Sequence, residues 1–474
     1  MKRTLVWFRN DLRIHDNEAL AEAFEEGKVL PVYIFDERQF GETSFGFKKT
    51  GAFRAQFLRE SVLDLKESLQ RLGGDLYVDV GHPEKLIPAL VKQHSINQLF
   101  YHEEVTSEEI EVENDLEDTL SIPIHSFWGS TLFHPYELPF EQHNVPIVFT
   151  QFRKKVEKYS NVEALVELPE SLSFVDDIEN TEVPSLKDLG LSEVQIDERA
   201  VLQFKGGEHE AFDRLKHYLW KTDLLATYKE TRNGLLGADY SSKFSPWLAN
   251  GTLSPRKIYH EVKSYEEQRK KNNSTYWLIF ELIWRDYFRF SAWRFGDKIF
   301  KAGGIQDKNR NWETNRKNFD KWANAETGIP FIDANMRELN HTGFMSNRGR
   351  QNVASFLAQN LNIDWRMGAE YFESLLIDYD VCSNYGNWAY NATVGHDPRN
   401  RFFNIIGQAK RYDAKGEFVK HWIPELISVP KEYIHEPYTM NVNQKDFFKS
   451  EDDIEYPSPM IDLEKSYEEI KARE

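Results

Sequence analysis

Leu5-Val6-Trp7-Phe8-Arg9-Asn10-Asp11-Leu12-Arg13 decides how the first third of the chain folds. Four apolar residues run unbroken and then give way to charged and amide side chains. An apolar run that short reads as a strand buried on both faces, as in parallel sheets. The sequence after it keeps to that reading. Helical spacing over residues 17–26 has Asp16 as its expected N-cap and Gly27 as its stop. Residues 29–35 form a second strand, and residues 52–72 a helix closed by Gly73-Gly74. A strand at 76–80, a helix at 84–94, a strand at 98–101, a helix at 107–120 and a strand at 122–127 continue the alternation. This β-α-β-α rhythm predicts an α/β domain, Rossmann-like, with a parallel sheet covered by helices on both faces. No G-x-G-x-x-G follows the first strand, which argues against an ordinary dinucleotide site. Ligands of such sheets bind beyond the strands' carboxyl ends. That points to residues 9–16, Asp36-Glu37 and residues 102–104.

The rhythm breaks near Trp128. Pro135, Pro139, Pro146, Pro169 and Pro184 are spread along the next stretch, and residues 163–198 are acidic. This predicts a long surface connector, with a helical patch at 150–159 docked on the first domain. From Gly207 the pattern is helical, at 210–222, 255–270, 277–294, 331–339, 350–361 and 368–376. The expected organisation is an α/β domain (1–130), a connector (131–206), an all-α domain (207–430) and a short, acidic, peripheral tail (431–474).

Composition narrows the function. No apolar run of about 18 residues is present, so no membrane span is expected. The N-terminus runs straight into a strand, so neither a signal nor a transit peptide is expected. A cytoplasmic, bacterial-type protein follows from that. The single cysteine, Cys382, excludes an internal disulfide and reads as a small packed residue. A net charge of −18 argues against broad electrostatic binding of nucleic acid. The 33 Phe, 21 Tyr and 12 Trp suit a large core and also a flat cofactor. No metal site is expected.

Chemistry concentrates in four places. Asp378-Tyr379-Asp380-Val381-Cys382-Ser383-Asn384-Tyr385-Gly386-Asn387-Trp388-Ala389-Tyr390 packs two carboxylates, two amides and four large aromatics around one glycine. Alone it reads equally as a solvated turn between helices or as a loop that meets a ligand. Ser241-Ser242-Lys243-Phe244-Ser245-Pro246 offers hydroxyls, backbone N–H groups and one cation, which suits a pyrophosphate; most such turns are only caps. Glu281 and Arg285 stand at i,i+4 in an apolar helix, either as a helix salt bridge or as a buried functional pair. Asn347-Arg348-Gly349-Arg350 opens another helix and offers a guanidinium to a carboxylate such as Asp378.

Together these resemble the photolyase/cryptochrome flavoproteins, from Leu5 to about Pro424. The motifs are Trp7-Phe8-Arg9-Asn10-Asp11-Leu12-Arg13, Glu281-Leu282-Ile283-Trp284-Arg285, Gly343-Phe344-Met345-Ser346-Asn347-Arg348 and Asp378-Tyr379-Asp380. The resemblance implies FAD held in the helical domain by Tyr228, Ser241, Ser242, Lys243, Phe244, Ser245, Arg285, Arg350, Asp378 and Asp380. Asn384 would face the flavin N5 edge, able to accept from it or donate to it. Glu281 and Trp284 would line the substrate cavity, and Arg232 would approach substrate phosphate. Trp388, Trp365 and Trp312 match the chain of tryptophans that passes electrons to the excited flavin. Tyr390 and Gln351, with Arg399-Asn400-Arg401-Phe402-Phe403-Asn404, resemble the cryptochrome-DASH branch. That branch implies repair of cyclobutane pyrimidine dimers, chiefly in single-stranded DNA, by an electron from excited reduced FAD. Asn347, Gln351, Tyr390, Arg399 and Arg401 would meet the DNA. The branch also implies a methenyltetrahydrofolate antenna near Glu104 and Gln151.

Two other readings compete. A blue-light photoreceptor would use the same FAD and signal through a partner, although the expected long C-terminal extension is missing. An ordinary flavin oxidoreductase would need a nicotinamide or substrate-dehydrogenation site, and none is legible. A monomer is expected.

Overall fold

The strand read at Leu5 is the centre of a five-stranded parallel sheet. The computed structural model describes residues 2–176, 178, 181–397, 399, 402–441 and 456–473. Its sheet is built from β1 (Lys2–Phe8), β2 (Gly27–Asp36), β3 (Tyr77–Gly81), β4 (Gln98–His102) and β5 (Ile124–Phe127), in the order β3-β2-β1-β4-β5. Side chains alternate across the pleat, so Leu5 and Trp7 enter one face and Val6 and Phe8 the other. Helices α1 (Glu18–Glu26) and α2 (Ala52–Arg71) cover the Val6–Phe8 face. Helices α3 (Pro83–Gln93) and α4 (Ser107–Thr119) cover the Leu5–Trp7 face. Helix α1 is capped by Asn17, which accepts a hydrogen bond from the Leu20 N–H at 3.1 Å, and not by Asp16 as expected. Asp16 takes a left-handed φ of 47° and turns to another task, described below.

The connector does more than lie on the surface. Ser173 O and Val175 N–H bond both sides of Val29, which fastens the connector to β2. Helix α5 (Phe149–Tyr159) buries Phe149, Phe152 and Val156 against the helical domain. The backbone N–H groups of Leu132 and Phe133 donate to Asp286, which is 0% exposed. Burial pushes that carboxyl up to about 7, against the pull of these N–H groups.

The second half is helical: α6 (Glu208–Lys216), α7 (Tyr228–Thr231), α8 (Ser245–Ala249), α9 (Pro255–Gln268), α10 (Asn273–Phe295), α11 (Arg316–Ala323), α12 (Pro330–Thr342), α13 (Asn347–Ser355), α14 (Trp365–Leu375), α15 (Val381–Asn391), α16 (Ile405–Tyr412) and α17 (Glu417–Trp422). The stretch read as a turn or loop is therefore mostly helix. Asp380 caps α15 by accepting from the Ser383 N–H at 2.7 Å. The carboxylate that made the stretch look like a loop is the one that starts the helix. The tail is not peripheral either. A terminal helix, Leu463–Arg473, buries Leu463, Tyr467 and Ile470 in the helical core. Its Arg473 donates to Gln359 O at 2.7 Å. No helix among the described residues is long and apolar enough to cross a membrane.

Asp16 clasps the two halves. Its carboxylate takes Arg256 Nη2 at 2.7 Å and Nε at 3.0 Å, accepts from Ser254 Oγ, and its side chain is wholly buried. Beside it Arg13 donates to Gly251 O at 2.9 Å. Gly251 has φ +72°, and a Cβ there would stand 1.9 Å from Asn10 O, so no other residue fits. Burial alone would raise the Asp16 pKa, but Arg13 and Arg256 more than offset it and hold the carboxyl below its usual range. The clasp therefore contributes fully above the ordinary aspartate pKa and is lost only as pH falls below it. Asp16→Ala leaves Arg256 as a buried cation with only the half-exposed Glu163 for a partner. The expected cost is about 3–5 kcal/mol, read as a lower denaturation midpoint at neutral pH.

Candidate functional site

A cavity of about 320 Å³ opens between α7, α8, α10, α13, α14 and α15. It gathers the segments singled out above, although they are far apart in sequence. Its walls include Tyr228, Ser241, Ser242, Lys243, Phe244, Ser245, Glu281, Arg285, Arg350, Asp378, Asp380, Asn384 and Trp388. Asp378 joins three of these segments. Its Oδ2 accepts from Arg350 Nη2 at 2.9 Å and from Ser245 Oγ at 2.6 Å, so the expected Arg350–Asp378 pair forms.

Asn384 sits one turn into α15 and is buried. Its Nδ2 donates to Ala369 O at 3.0 Å. Only the amide nitrogen can donate to a carbonyl, so this bond fixes which end of the amide is Nδ2; its second N–H and Oδ1 remain, one able to donate and the other to accept.

Glu281 and Arg285 do not pair with each other. Glu281 pairs with Arg232 at 2.8 Å, and burial followed by the opposing pull of Arg232 leaves its pKa raised. Arg285 donates to Leu248 O at 3.0 Å and to Ser130 O. Tertiary partners outbid the i,i+4 neighbour, whose contribution is only about 0.2–0.5 kcal/mol. Trp284 lies outside the cavity walls. Its ring stacks on Phe149 at 3.5 Å and 11°, and meets Tyr390 edge-on at 6.4 Å. Tyr390 also lies outside the walls, with its hydroxyl on Asp397 at 2.9 Å.

The three tryptophans run from the cavity outwards. Trp388 lines it and is 2% exposed. Its ring packs on Gly368 of α14, where a Cβ would stand 2.2 Å away, so the approach requires glycine. Trp365 begins α14 and is fully buried. Trp365 and the half-buried Trp312 donate their Nε1–H to one acceptor, Ala302 O, at 3.1 and 3.0 Å. The Arg310 guanidinium lies 4.1 Å over the Trp312 ring.

The rim carries Arg232, Asn347 and Gln351. Arg399, expected to meet the DNA, pairs with Asp397 at 3.2 Å, and Lys410 of α16 pairs with Glu436 at 2.5 Å. Arg401 lies outside the described residues. Ser383 and Asn387 of the 378–390 stretch and Phe344 of the Gly343–Arg348 motif also line the cavity, without a role assigned from the sequence. Tyr240 and Phe372 line it too, and nothing local marks Tyr240.

A second cavity, of about 570 Å³, opens beyond the carboxyl ends of β1, β2 and β4, and the sheet order reverses between β1 and β4. Trp7, Arg9, Asn10, Asp36, Arg38 and Glu104 line it. Glu104 is not a solvated side chain. Arg289 pairs with it at 2.9 Å, Asn10 donates to it at 3.0 Å, and these with Arg9 outweigh burial and hold its pKa low. Gln151 is exposed on α5 and lines neither cavity. Arg285, Tyr379 and Asp380 line both.

The first cavity suits a cofactor with an anionic chain and a flat ring. Buried polar atoms on its walls find no hydrogen-bond partner among the described residues: Asp378 Oδ1, Lys243 Nζ, Tyr240 OH and Trp388 Nε1. Buried groups of this kind are normally paired, so they mark where a polar ligand fits. An α/β domain clasped to a helical domain with such a cavity defines a photolyase-type flavoprotein, and the comparisons agree. Residues 4–171 match the family described as DNA photolyase, and residues 277–474 match the FAD binding domain of DNA photolyase. The cryptochrome DASH of Gloeobacter violaceus is 54% identical over 467 residues, covering 98% of this chain and 93% of that protein. The crystal structure of a Synechocystis sp. cryptochrome superposes with a TM-score of 0.97 at 48% identity, covering 100% of this chain and 99% of that one. An archaeal photolyase from Sulfolobus tokodaii, described with two FAD molecules, superposes with a TM-score of 0.80 at 28% identity, covering 99% of each chain. The chain belongs to the photolyase/cryptochrome family, in its cryptochrome-DASH branch.

Asp378→Ala removes one partner of Arg350 and one of Ser245. The purified variant is expected to carry well under half the wild-type FAD, measured by flavin absorbance per protein. Full occupancy would show that the pair does not hold the cofactor.

Proposed function

We propose that this protein repairs cyclobutane pyrimidine dimers by light, chiefly in single-stranded DNA, with FAD in the first cavity and an antenna in the second. The observation that carries the reading is that Asn384, Trp388, the Arg350–Asp378 pair and the 241–245 loop face one cavity whose rim holds Glu281, Arg232 and Asn347. The chemistry bound FAD supplies is the light-driven loan of one electron to the dimer, returned once the ring has split.

The chain's own groups position and protect that exchange. The 241–245 loop and Lys243 would take the phosphates, and the Arg350–Asp378 pair would stand beside the ring. Asn384 would meet the ring with Oδ1 or with its second N–H, according to whether the ring nitrogen carries a proton. Leu278, Leu282, Phe372 and Leu376 keep that wall apolar and exclude water. Glu281, tied to Arg232, would place a hydrogen-bonding group against the bases of a flipped dimer. Trp388, Trp365 and Trp312 would refill the flavin with electrons from the surface.

Two observations favour single strands. The net charge is −18, and Arg232, Arg399 and Lys410 are already paired with carboxylates. Few phosphates can then be neutralised, and little binding energy is left for opening a duplex. Flipping a base costs a few kcal/mol and least from a single strand. For the antenna, the Sulfolobus relative's description speaks of a light-harvesting cofactor. The second cavity, with Glu104 on its wall, is where methenyltetrahydrofolate would sit here.

Repair yields on one thymine-dimer oligonucleotide, alone and annealed, test the reading across a salt series. The single strand is expected to be repaired at least tenfold faster at moderate salt. Equal rates would remove the preference, and no repair of either form would leave the photoreceptor reading.

Trp388→Phe keeps most of the ring's packing but is far harder to oxidise. Photoreduction of bound FAD is expected to slow by tenfold or more while FAD stays bound. An unchanged rate, followed by absorbance under blue light, would take Trp388 out of the electron path.

A further inference from the structure

Of the three tryptophans that run outwards from the first cavity, the outermost sits under a cation. The Arg310 guanidinium carbon lies 4.1 Å from the centre of the Trp312 ring, well within the range of a cation–π contact. Among the described residues, neither Trp365 nor Trp388 has a cation over its ring. Five hydrogen bonds hold the guanidinium still. Nε and Nη2 donate to Asn362 Oδ1 at 3.2 and 3.1 Å, and Nη2 donates also to Ala358 O at 2.9 Å. Nη1 donates to Gln359 Oε1 at 3.0 Å and to Ala392 O at 3.4 Å. Every acceptor is a neutral amide oxygen. No carboxylate pairs with Arg310 among the described residues, so its charge is not neutralised. Burial and then the neighbouring Arg473 lower its pKa to about 10, which leaves it a cation at neutral pH.

A fixed charge in that place acts on the indole in two ways. It stabilises the neutral ring through the ring's negative face. It repels the positive charge that the ring acquires on giving up an electron. Both effects make Trp312 harder to oxidise than an indole with no cation over it. Trp365 and Trp312 share one Nε1–H acceptor, Ala302 O, so hydrogen bonding does not set the two rings apart. Trp365 is fully buried and Trp312 half-buried. Contact with water would by itself draw the positive charge outwards to Trp312, and the cation opposes that pull.

We propose that Arg310 gates the electron relay by keeping the positive charge from resting on Trp312, so that an electron passed inwards is retained only when a reductant in solution is at hand. This inference rests on the reading that Trp388, Trp365 and Trp312 carry electrons inwards. In the gated step one electron passes from Trp312 to the oxidised Trp365 ring. No proton moves with it, because Trp312 Nε1–H is bonded to a carbonyl. A thiol in solution then gives Trp312 one electron, loses its proton to water and ends as half of a disulfide. Without the thiol, the electron goes back through the inner rings. Return draws on positive charge held by the inner rings, and refilling draws on positive charge held by Trp312. The thiol concentration that half-saturates photoreduction therefore follows the ratio of those two populations, which is the quantity Arg310 sets.

The test uses full-length, FAD-loaded protein, followed by transient absorption after a flash and by photoreduction under blue light across a dithiothreitol series. Arg310→Gln removes the charge and keeps an amide that can hydrogen-bond. The tryptophan radical is expected to live about tenfold longer or more, and the half-saturating thiol concentration is expected to fall by the same factor. Asn362→Asp leaves Arg310 and Trp312 in place and sets a carboxylate against Nε and Nη2. Asn362 already has a left-handed φ of 53°, which aspartate accepts, so this variant answers the question if Arg310→Gln folds poorly. It should shift both readings in the same direction. In a Trp312→Phe background Arg310→Gln should change neither reading, because the ring on which the charge acts is gone. Unchanged or shortened radical lifetimes in both charge-removing variants overturn the proposal, and so does a shift that survives in the Trp312→Phe background. Trp312→Phe alone separates the two layers of the argument. If it photoreduces as fast as wild type at every thiol concentration, the relay reading fails and the gate fails with it. If it slows photoreduction while Arg310→Gln and Asn362→Asp match wild type, only the gate fails.

Discussion

One carboxylate holds the cavity together. Asp378 lies between α14 and α15, takes Arg350 from α13 and takes Ser245 at the start of α8. Three segments, spread over more than a hundred residues of chain, meet on its Oδ2. Two residues on, Asp380 caps α15, and that helix carries Asn384 and Trp388 to the same cavity. A short polar turn thus sets the register of the wall that a flavin ring would meet. Buried groups so arranged are costly unless all their partners are present, which makes the turn intolerant of single losses.

The wider frame depends on buried charge in a similar way. Asp16, Arg13 and Arg256 fasten the sheet domain to the helical domain, while Asp286 fastens the connector. These contacts hold the carboxyl ends of β1 and β2 against the helical domain. That is why the second cavity shares Arg285, Tyr379 and Asp380 with the first. Two light-absorbing groups in these cavities would be separated by a few fixed side chains. Their coupling would then be set by the clasp and not by either site alone.

The cavity also divides its labour by distance from water. Asp378, Asn384 and Trp388 are buried at its base, whereas Asn347 is exposed at its rim. The tryptophans repeat the gradient, from fully buried Trp365 to half-buried Trp312 under Arg310. In the proposed function, electron exchange would use the dry end and a charged strand would meet the wet one. The overall negative charge leaves the rim's few cations already occupied, which fits a substrate that asks little of them.

Much of this was legible in the chain itself. Local periodicity determined the alternating sheet domain, the later run of helices and the segments that carry the chemistry. An apolar run of four and a repeat of 3.6 are properties of neighbours, and neighbours are what a sequence displays. The motif residues 241–245, Arg350 and Asp378 were visible for the same reason. What the tertiary structure decided was partnership. Glu281 turned to Arg232 and not to Arg285, Asp16 left its helix cap for Arg256, and Trp284 went to Phe149 outside the cavity. The acidic tail became a packed helix because Tyr467 and Ile470 found an apolar wall. Arg310 and Tyr240 were silent in the sequence, since neither sits in a motif. A polar side chain's role is set by which charges burial brings near it, and those come from residues a hundred or more positions away.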